Sequence, residues 1–232
     1  MNEVRTHTTT QVTTNVFLRG VYVWMSIGLL ITGFVSYNIA SSPSLLRLFL
    51  GNQLFFIGII IAELVLVVAI SGAISKLSAA MATILFVIYS ALNGITLSSI
   101  FLIYTQTSIV KTFYICGAMF GAMSLYGYTT SKDLTSWGSF LFMGLIGVIL
   151  ASVINIFFHS TQMEFVISIA GILVFVGLTA YDTQKLKEMG ENAPLDRKNT
   201  LQKGTILGAL TLYLDFINLF ILLLRLFGNT RD

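Results

Sequence analysis

Seven long apolar stretches, each of about 20 residues, are the feature that most constrains the fold of this chain. They cover residues 19–40, 54–74, 79–103, 112–129, 139–158, 165–184 and 205–226. A helix of about 20 apolar residues crosses the hydrocarbon layer of a bilayer, whereas barrel strands appear as shorter segments of alternating polarity. The pattern therefore predicts an all-α polytopic membrane protein with seven transmembrane helices.

The composition agrees with a lipid environment and excludes several other classes. Hydrophobic residues make up 56% of the chain and charged residues only 10%, which is too few to cover a soluble protein. The net charge of +3 forms no basic stripe, so nucleic acid is not an expected partner. Cys116 is the single cysteine, which excludes a disulfide within the chain and a zinc site of paired cysteines.

The connections between the stretches predict the domain organisation and the orientation. Residues 1–18 are polar and Thr-rich, and we interpret them as a tail before a single membrane domain at residues 19–232. The first apolar stretch is too long for a cleaved signal peptide, and residues 185–203 form the one long predicted loop. Nine Lys and Arg residues lie on the side of the N-terminus and four on the other, which predicts a cytoplasmic N-terminus.

Three acidic residues lie within the predicted spans: Glu63, Asp182 and Asp215. A charge at the centre of a transmembrane helix costs at least about 2.5–3.5 kcal/mol, so such residues are functional candidates. The alternative is that they only hold helices together or, for Asp182 close to Lys185, that they face the lipid headgroups. Two such carboxyl groups that lie close together can share a proton and change their joint charge with pH.

Asparagine and glycine residues within the spans predict close helix packing. Asn93, Asn155 and Asn218 are expected to form hydrogen bonds between helices rather than to bind ions. Gly117 and Gly121 form a GxxxG pair in the fourth span, a spacing that lets two helix backbones approach closely.

Motifs for catalysis are missing from the sequence, which contains no HExxH and no phosphate-binding glycine loop. An intramembrane aspartyl protease is conceivable because Asp182 and Asp215 lie on neighbouring spans. Tyr181-Asp182 fits the first motif of such proteases, but Leu214-Asp215 does not fit the Gly-x-Gly-Asp of the second. We therefore expect no enzymatic activity and no cofactor.

Four segments resemble the transmembrane Bax inhibitor-1 motif family. Residues 175–184 (FVGLTAYDTQ) resemble its signature, and residues 209–220 (ALTLYLDFINLF) resemble its last helix. Residues 93–97 (NGITL) and 127–134 (GYTTSKDL) also fit. The matches extend over most of the chain and are closest to bacterial members, which implies location in a bacterial inner membrane.

The resemblance implies a fold in which six helices surround a central seventh, and a pH-sensitive calcium leak. It implies that Asp182 and Asp215 form a hydrogen-bonded pair that senses protons, lies across the ion path and could contact calcium. A basic residue at the end of the second helix latches onto this pair in some members, and Lys76 is the nearest match. Glu63 matches an acid of the second helix in some relatives and is expected to belong to the proton-sensing ion path. Asn93 and Asn218 are expected to provide polar support.

The resemblance also leaves a second function open. Some relatives are reported to act as regulators that bind another membrane protein, such as a protease or a component of a death pathway. The expected partners are therefore the bilayer, calcium and protons, with a membrane protein as the alternative.

Overall fold

The computed structural model describes residues 2–192 and 198–231, and their regular structure is helical. Side chains are described from Thr14 onward, except for Lys198. The helices are α1 (Asn2–Ala40), α2 (Pro43–Leu50), α3 (Gln53–Ala73), α4 (Ala79–Leu97), α5 (Ile100–Ile103), α6 (Gln106–Thr129), α7 (Thr135–Phe158), α8 (Thr161–Glu191) and α9 (Lys198–Phe227).

The prediction of seven membrane-spanning helices in an all-α fold is confirmed. Seven segments of the described chain are long and apolar enough to cross a bilayer: Thr14–Ala40, Gln53–Ala73, Ala79–Ile103, Gln106–Thr129, Thr135–Phe158, Thr161–Glu191 and Asn199–Phe227. The short helices α2 and α5 lie in or beside the connections. Asn52, Ser78 and Thr105 cap α3, α4 and α6 by accepting hydrogen bonds from backbone N–H groups of the first turn, which explains where these helices begin.

The predicted long loop at residues 185–203 is mostly helical. Helix α8 continues to Glu191 and α9 begins at Lys198, so only residues 192–197 separate them, and 193–197 lie outside the described residues. Apolar run length marks the hydrocarbon layer, whereas a helix extends as far as its backbone hydrogen bonds continue. Two lysines on the extended turns bond to backbone carbonyl oxygens: Lys187 Nζ donates to Tyr128 and Lys203 Nζ donates to Ser75, both at 3.1 Å. Helix α1 likewise includes residues of the predicted N-terminal tail.

The chain divides into two compact units. Of the described residues, the first contains 2–104, 189–192, 198–213 and 231, and the second contains 105–188 and 214–230. Helix α9 contributes its first half to one unit and its second half to the other.

Close contact between α1 and α4 organises the first unit. A Cβ atom at Gly28 would lie 2.7 Å from Phe86 Cζ, and one at Gly94 would lie 2.7 Å from Val35 Cβ. Ser36 Oγ donates to the Gly94 carbonyl oxygen at 2.8 Å. Small residues therefore bring the two helices close enough for hydrogen bonds between them.

In the second unit, α6 and α7 approach α8 at glycines. A Cβ atom at Gly127 would overlap the backbone carbonyl of Ala180, and one at Gly138 would overlap the ring of Tyr181. Both contacts adjoin Asp182. The chain therefore has a tightly packed region beside one of the predicted site residues.

Helix α9 is apolar around most of its circumference and is buried accordingly. Within its most apolar window, 72% of the residues are buried, against 6% for α7. A helix that is apolar on all sides belongs in a protein interior or a membrane. The arrangement of six helices around a central seventh stays a prediction.

Candidate functional site

The structure brings Asp182 of α8 and Asp215 of α9 together in the second unit. Their carboxyl groups form a hydrogen bond with each other. Asp215 is buried, with 5% of its surface exposed, whereas Asp182 is half-buried. Two acids that are 33 positions apart in the sequence are therefore held in contact inside membrane-spanning helices.

This contact fixes the charge that the pair can carry. An ionised carboxylate only accepts hydrogen bonds, so a bond between two carboxyl groups requires a proton on one of them. The pair then carries at most one negative charge. Charge is less costly on the half-buried Asp182, beside Lys185, than on the buried Asp215.

One oxygen of Asp215 has no partner outside the pair. Oδ2 of Asp215 is buried and receives no hydrogen bond from a backbone, hydroxyl or amide group of the described residues. A buried polar atom without a partner costs about 1–3 kcal/mol, so native proteins rarely retain one without a reason. The Asp215 carboxyl group therefore depends on Asp182 for its hydrogen bonding.

Neighbouring helices hold the backbone around Asp182. Gly127 and Gly138 lie against Ala180 and Tyr181, the two residues that precede Asp182. Gln184, two residues later, accepts a hydrogen bond from the Leu134 N–H at 2.8 Å and donates to the Lys132 carbonyl at 2.8 Å. The segment 180–184 is therefore anchored on both sides of the acid.

Glu63 lies in the other unit and does not belong to the aspartate pair. It is buried in α3, where Oε1 accepts a hydrogen bond from Thr96 Oγ1 at 3.0 Å and Oε2 lies 3.5 Å from the side-chain amide of Asn93. Asn93 is also bonded to Tyr213 Oη at 3.1 Å. Thr96 and Tyr213 were missed by sequence reasoning, although Thr96 follows Asn93 by three residues and so shares its helix face.

The other predicted polar residues are placed as follows. Lys76 has an exposed side chain and belongs to the first unit, so its role as a latch for the aspartate pair stays a prediction. Asn218 Nδ2 donates to the Leu214 carbonyl of its own helix at 2.8 Å, and Asn155 Oδ1 accepts from the Ser160 N–H at 3.0 Å. Asn93 therefore forms the expected hydrogen bonds between helices, whereas these contacts of Asn218 and Asn155 are local. Amide side chains also bond to nearby backbone groups.

Within the described residues, no group of three or more His, Cys, Asp or Glu side chains lies close enough together to hold a metal ion. The calcium contact expected for Asp182 and Asp215 stays a prediction.

Seven membrane-length helices that bring two aspartates into hydrogen-bonding contact define the class: a polytopic, α-helical integral membrane protein with a buried acidic pair. A family model described as "Inhibitor of apoptosis-promoting Bax1" matches residues 14–232. The chain belongs to this Bax inhibitor-1 family.

The sequence of this chain aligns with those of several relatives over nearly their whole length. The chain is 54% identical to "Inner membrane protein YbhL" of Escherichia coli (strain K12) over 215 residues, which cover 93% of this chain and 92% of the relative. It is 48% identical to a protein of Borreliella burgdorferi over 94% of each chain. It is 39% identical to a membrane protein of Streptococcus pyogenes serotype M6 over 99% of each chain.

Proposed function

We propose that this protein is a pH-sensitive calcium (cation) leak channel in which the Asp182–Asp215 pair acts as the proton-dependent gate. The observation that carries the proposal is the hydrogen-bonding contact between the carboxyl groups of Asp182 and Asp215, two acids held within membrane-spanning helices. The name of the Escherichia coli relative supports location in an inner membrane. The distribution of Lys and Arg supports a cytoplasmic N-terminus.

Electrostatics explains how a proton could control such a gate. Loss of the shared proton leaves two negative charges in contact, and at about 4 Å and an effective dielectric constant near 20 they repel by about 4 kcal/mol. This repulsion acts between α8 and α9. The same charges attract calcium, a hard cation that prefers carboxylate and carbonyl oxygens. Ion attraction and helix packing would thus change together.

The family description favours one alternative. A member of a family described as an inhibitor of an apoptosis-promoting factor could act by binding another membrane protein, such as a protease, without conducting ions. Neither proposal requires an enzymatic activity or a cofactor.

Calcium flux into liposomes distinguishes the two proposals. Purified protein reconstituted in vesicles that contain a calcium-sensitive dye is expected to admit calcium faster than protein-free vesicles, at a rate that changes with pH. No flux at any pH, together with recovery of a membrane-protein partner by cross-linking in cells, would contradict the leak and support the regulator.

The direction of the pH response tests the latch assigned to Lys76. If the lysine holds the ionised pair closed, Lys76→Gln is expected to raise flux at the higher pH values and to leave it unchanged where the pair is protonated. Lys111→Gln, a change at another exposed lysine, is the matched control. Equal pH profiles for the wild type and Lys76→Gln would remove the latch from the proposal.

A further inference from the structure

A chain of buried polar side chains crosses the first unit. Asn93 of α4 contacts Glu63 of α3 at 3.5 Å and Tyr213 of α9 at 3.1 Å. Tyr213 Oη lies 2.6 Å from Thr32 Oγ1 of α1. All four side chains are buried, so their hydrogen-bonding groups must satisfy one another.

The contacts of Thr32 determine which atom donates and which accepts in each hydrogen bond of this series. Thr32 Oγ1 lies 2.9 Å from the Gly28 carbonyl oxygen and 2.8 Å from the Ser90 carbonyl oxygen. A carbonyl oxygen only accepts, and the hydroxyl has one hydrogen, so Thr32 donates to this carbonyl pair. It must then accept from Tyr213.

The donor assigned at Thr32 in turn determines the donors at Tyr213, Asn93 and Glu63. Once Tyr213 donates to Thr32, its contact with Asn93 requires an N–H from the Asn93 amide. The amide oxygen and nitrogen exchange places by a half-turn, and their assignment follows from the hydrogen-bond network rather than from their positions. The amide oxygen then faces Glu63 Oε2 across 3.5 Å, where an ionised carboxylate would set two acceptor oxygens against each other and a protonated acid would not.

We infer that Glu63 is a proton-binding site separate from the aspartate pair, and that its proton sets the direction of every hydrogen bond from Glu63 through Asn93 and Tyr213 to Thr32. When the proton leaves to water, Asn93 donates to the carboxylate, Tyr213 donates to Asn93 and Thr32 donates to Tyr213. Thr32 thereby loses its bond to the Ser90 carbonyl, which joins α1 to α4.

The surroundings of Glu63 are suited to a neutral acid. The titratable groups of the described residues that face it are Tyr89 and Tyr213, which carry no positive charge. Thr96 Oγ1, 3.0 Å from Oε1, donates equally well to a carboxylate or to the carbonyl oxygen of a protonated acid. The inference uses only contacts within the first unit and is independent of the proposed leak.

Infrared difference spectroscopy across a pH series tests the site directly. The wild type in lipid is expected to show the carbonyl band of a buried protonated acid that disappears as the pH rises. This band is lost in Glu63→Gln and retained when Asp182 and Asp215 are both changed to Asn. Glutamine mimics the neutral acid, because its amide N–H can donate to Asn93, so the variant is expected to fold. Side-chain isotope labelling of glutamate in the wild type gives the same assignment without any substitution.

Thr32→Val tests the chain of hydrogen bonds rather than the acid itself. Without the hydroxyl, Tyr213 loses its acceptor in the protonated arrangement, so the band is expected to disappear about one pH unit lower, which corresponds to one hydrogen bond. Thr83→Val is the matched control, since Thr83 bonds only to the Ala79 carbonyl of its own helix, at 2.9 Å. A band unaffected by Glu63→Gln and by the isotope, or equal shifts in the two threonine variants, would overturn the inference.

Discussion

Asp182→Asn and Asp215→Asn are each expected to flatten the pH dependence of calcium flux in liposomes. In the wild type the pair can change its charge by one or two units, and each 1.4 kcal/mol of ion attraction corresponds to about a tenfold change in rate. An asparagine at either position removes the shared proton and the like-charge repulsion. The remaining acid, without a second carboxyl group in contact with it, no longer controls the separation of α8 and α9.

Asp133→Asn provides the matched control, because it makes the same chemical change outside the spans. Asp133 lies between α6 and α7, where its Oδ1 accepts the Thr135 N–H at 2.8 Å. The hydrogen bonds from Thr135 lower the pKa of Asp133 below its ordinary value, so this acid stays ionised from mildly acidic to alkaline pH. Its replacement should leave the pH profile unchanged. A wild-type profile in both Asp182→Asn and Asp215→Asn would dismiss the pair as the sensor.

Gly127→Ala is expected to produce a large loss of stability from a single added methyl group. The new Cβ atom would overlap the carbonyl group of Ala180, which is backbone and cannot rotate away. Overpacking typically costs about 1–3 kcal/mol and more where backbone must move. We expect the thermal unfolding midpoint in detergent or lipid to fall by roughly 5–10 °C. The change also separates α6 from α8 two residues before Asp182, so the flux should lose its pH dependence at temperatures below unfolding.

Gly117→Ala and Gly121→Ala are the controls that separate the steric contact at Gly127 from the general effect of placing alanine in a helix. Both positions lie on the same helix as Gly127. A Cβ atom at either position would meet no atom of the described residues within 4 Å outside its own stretch of helix. Alanine favours a helix over glycine by up to about 1 kcal/mol, so these variants should unfold at the same temperature as the wild type or slightly above it. A fall in the midpoint equal to that of Gly127→Ala would show that the contact with Ala180 is not the cause.

The spans and the membrane class could be predicted from the sequence because a bilayer imposes a length on apolar runs. Asp182 and Asp215 were identifiable for a related reason, since an acid in such a run is conspicuous. The helix ends were less predictable. Lys185 and Lys203 look like loop residues by charge, yet both lie within helices. The Lys185 side chain is exposed, and Lys203 Nζ donates to the Ser75 carbonyl oxygen at 3.1 Å.

The contacts that position the polar groups could not be predicted from spacing. Gly117 and Gly121 have the GxxxG pattern and contact no other helix of the described chain, whereas Gly127, outside any such pattern, lies against α8. Thr32 and Tyr213 are unremarkable in sequence, because threonine and tyrosine are tolerated in apolar helices. Their importance depends on which atoms of distant helices meet, and that information is not local.

Helix α9 carries Tyr213 and Asp215 two positions apart, which places them on opposite sides of one rod, about 200° around its axis. A single inserted residue between them would turn one side chain by about 100° relative to the other. No single rotation of α9 about its axis could then place both side chains at their present partners. The spacing of these two residues therefore couples them, because a rotation of α9 that changes the contacts of Tyr213 also changes those of Asp215.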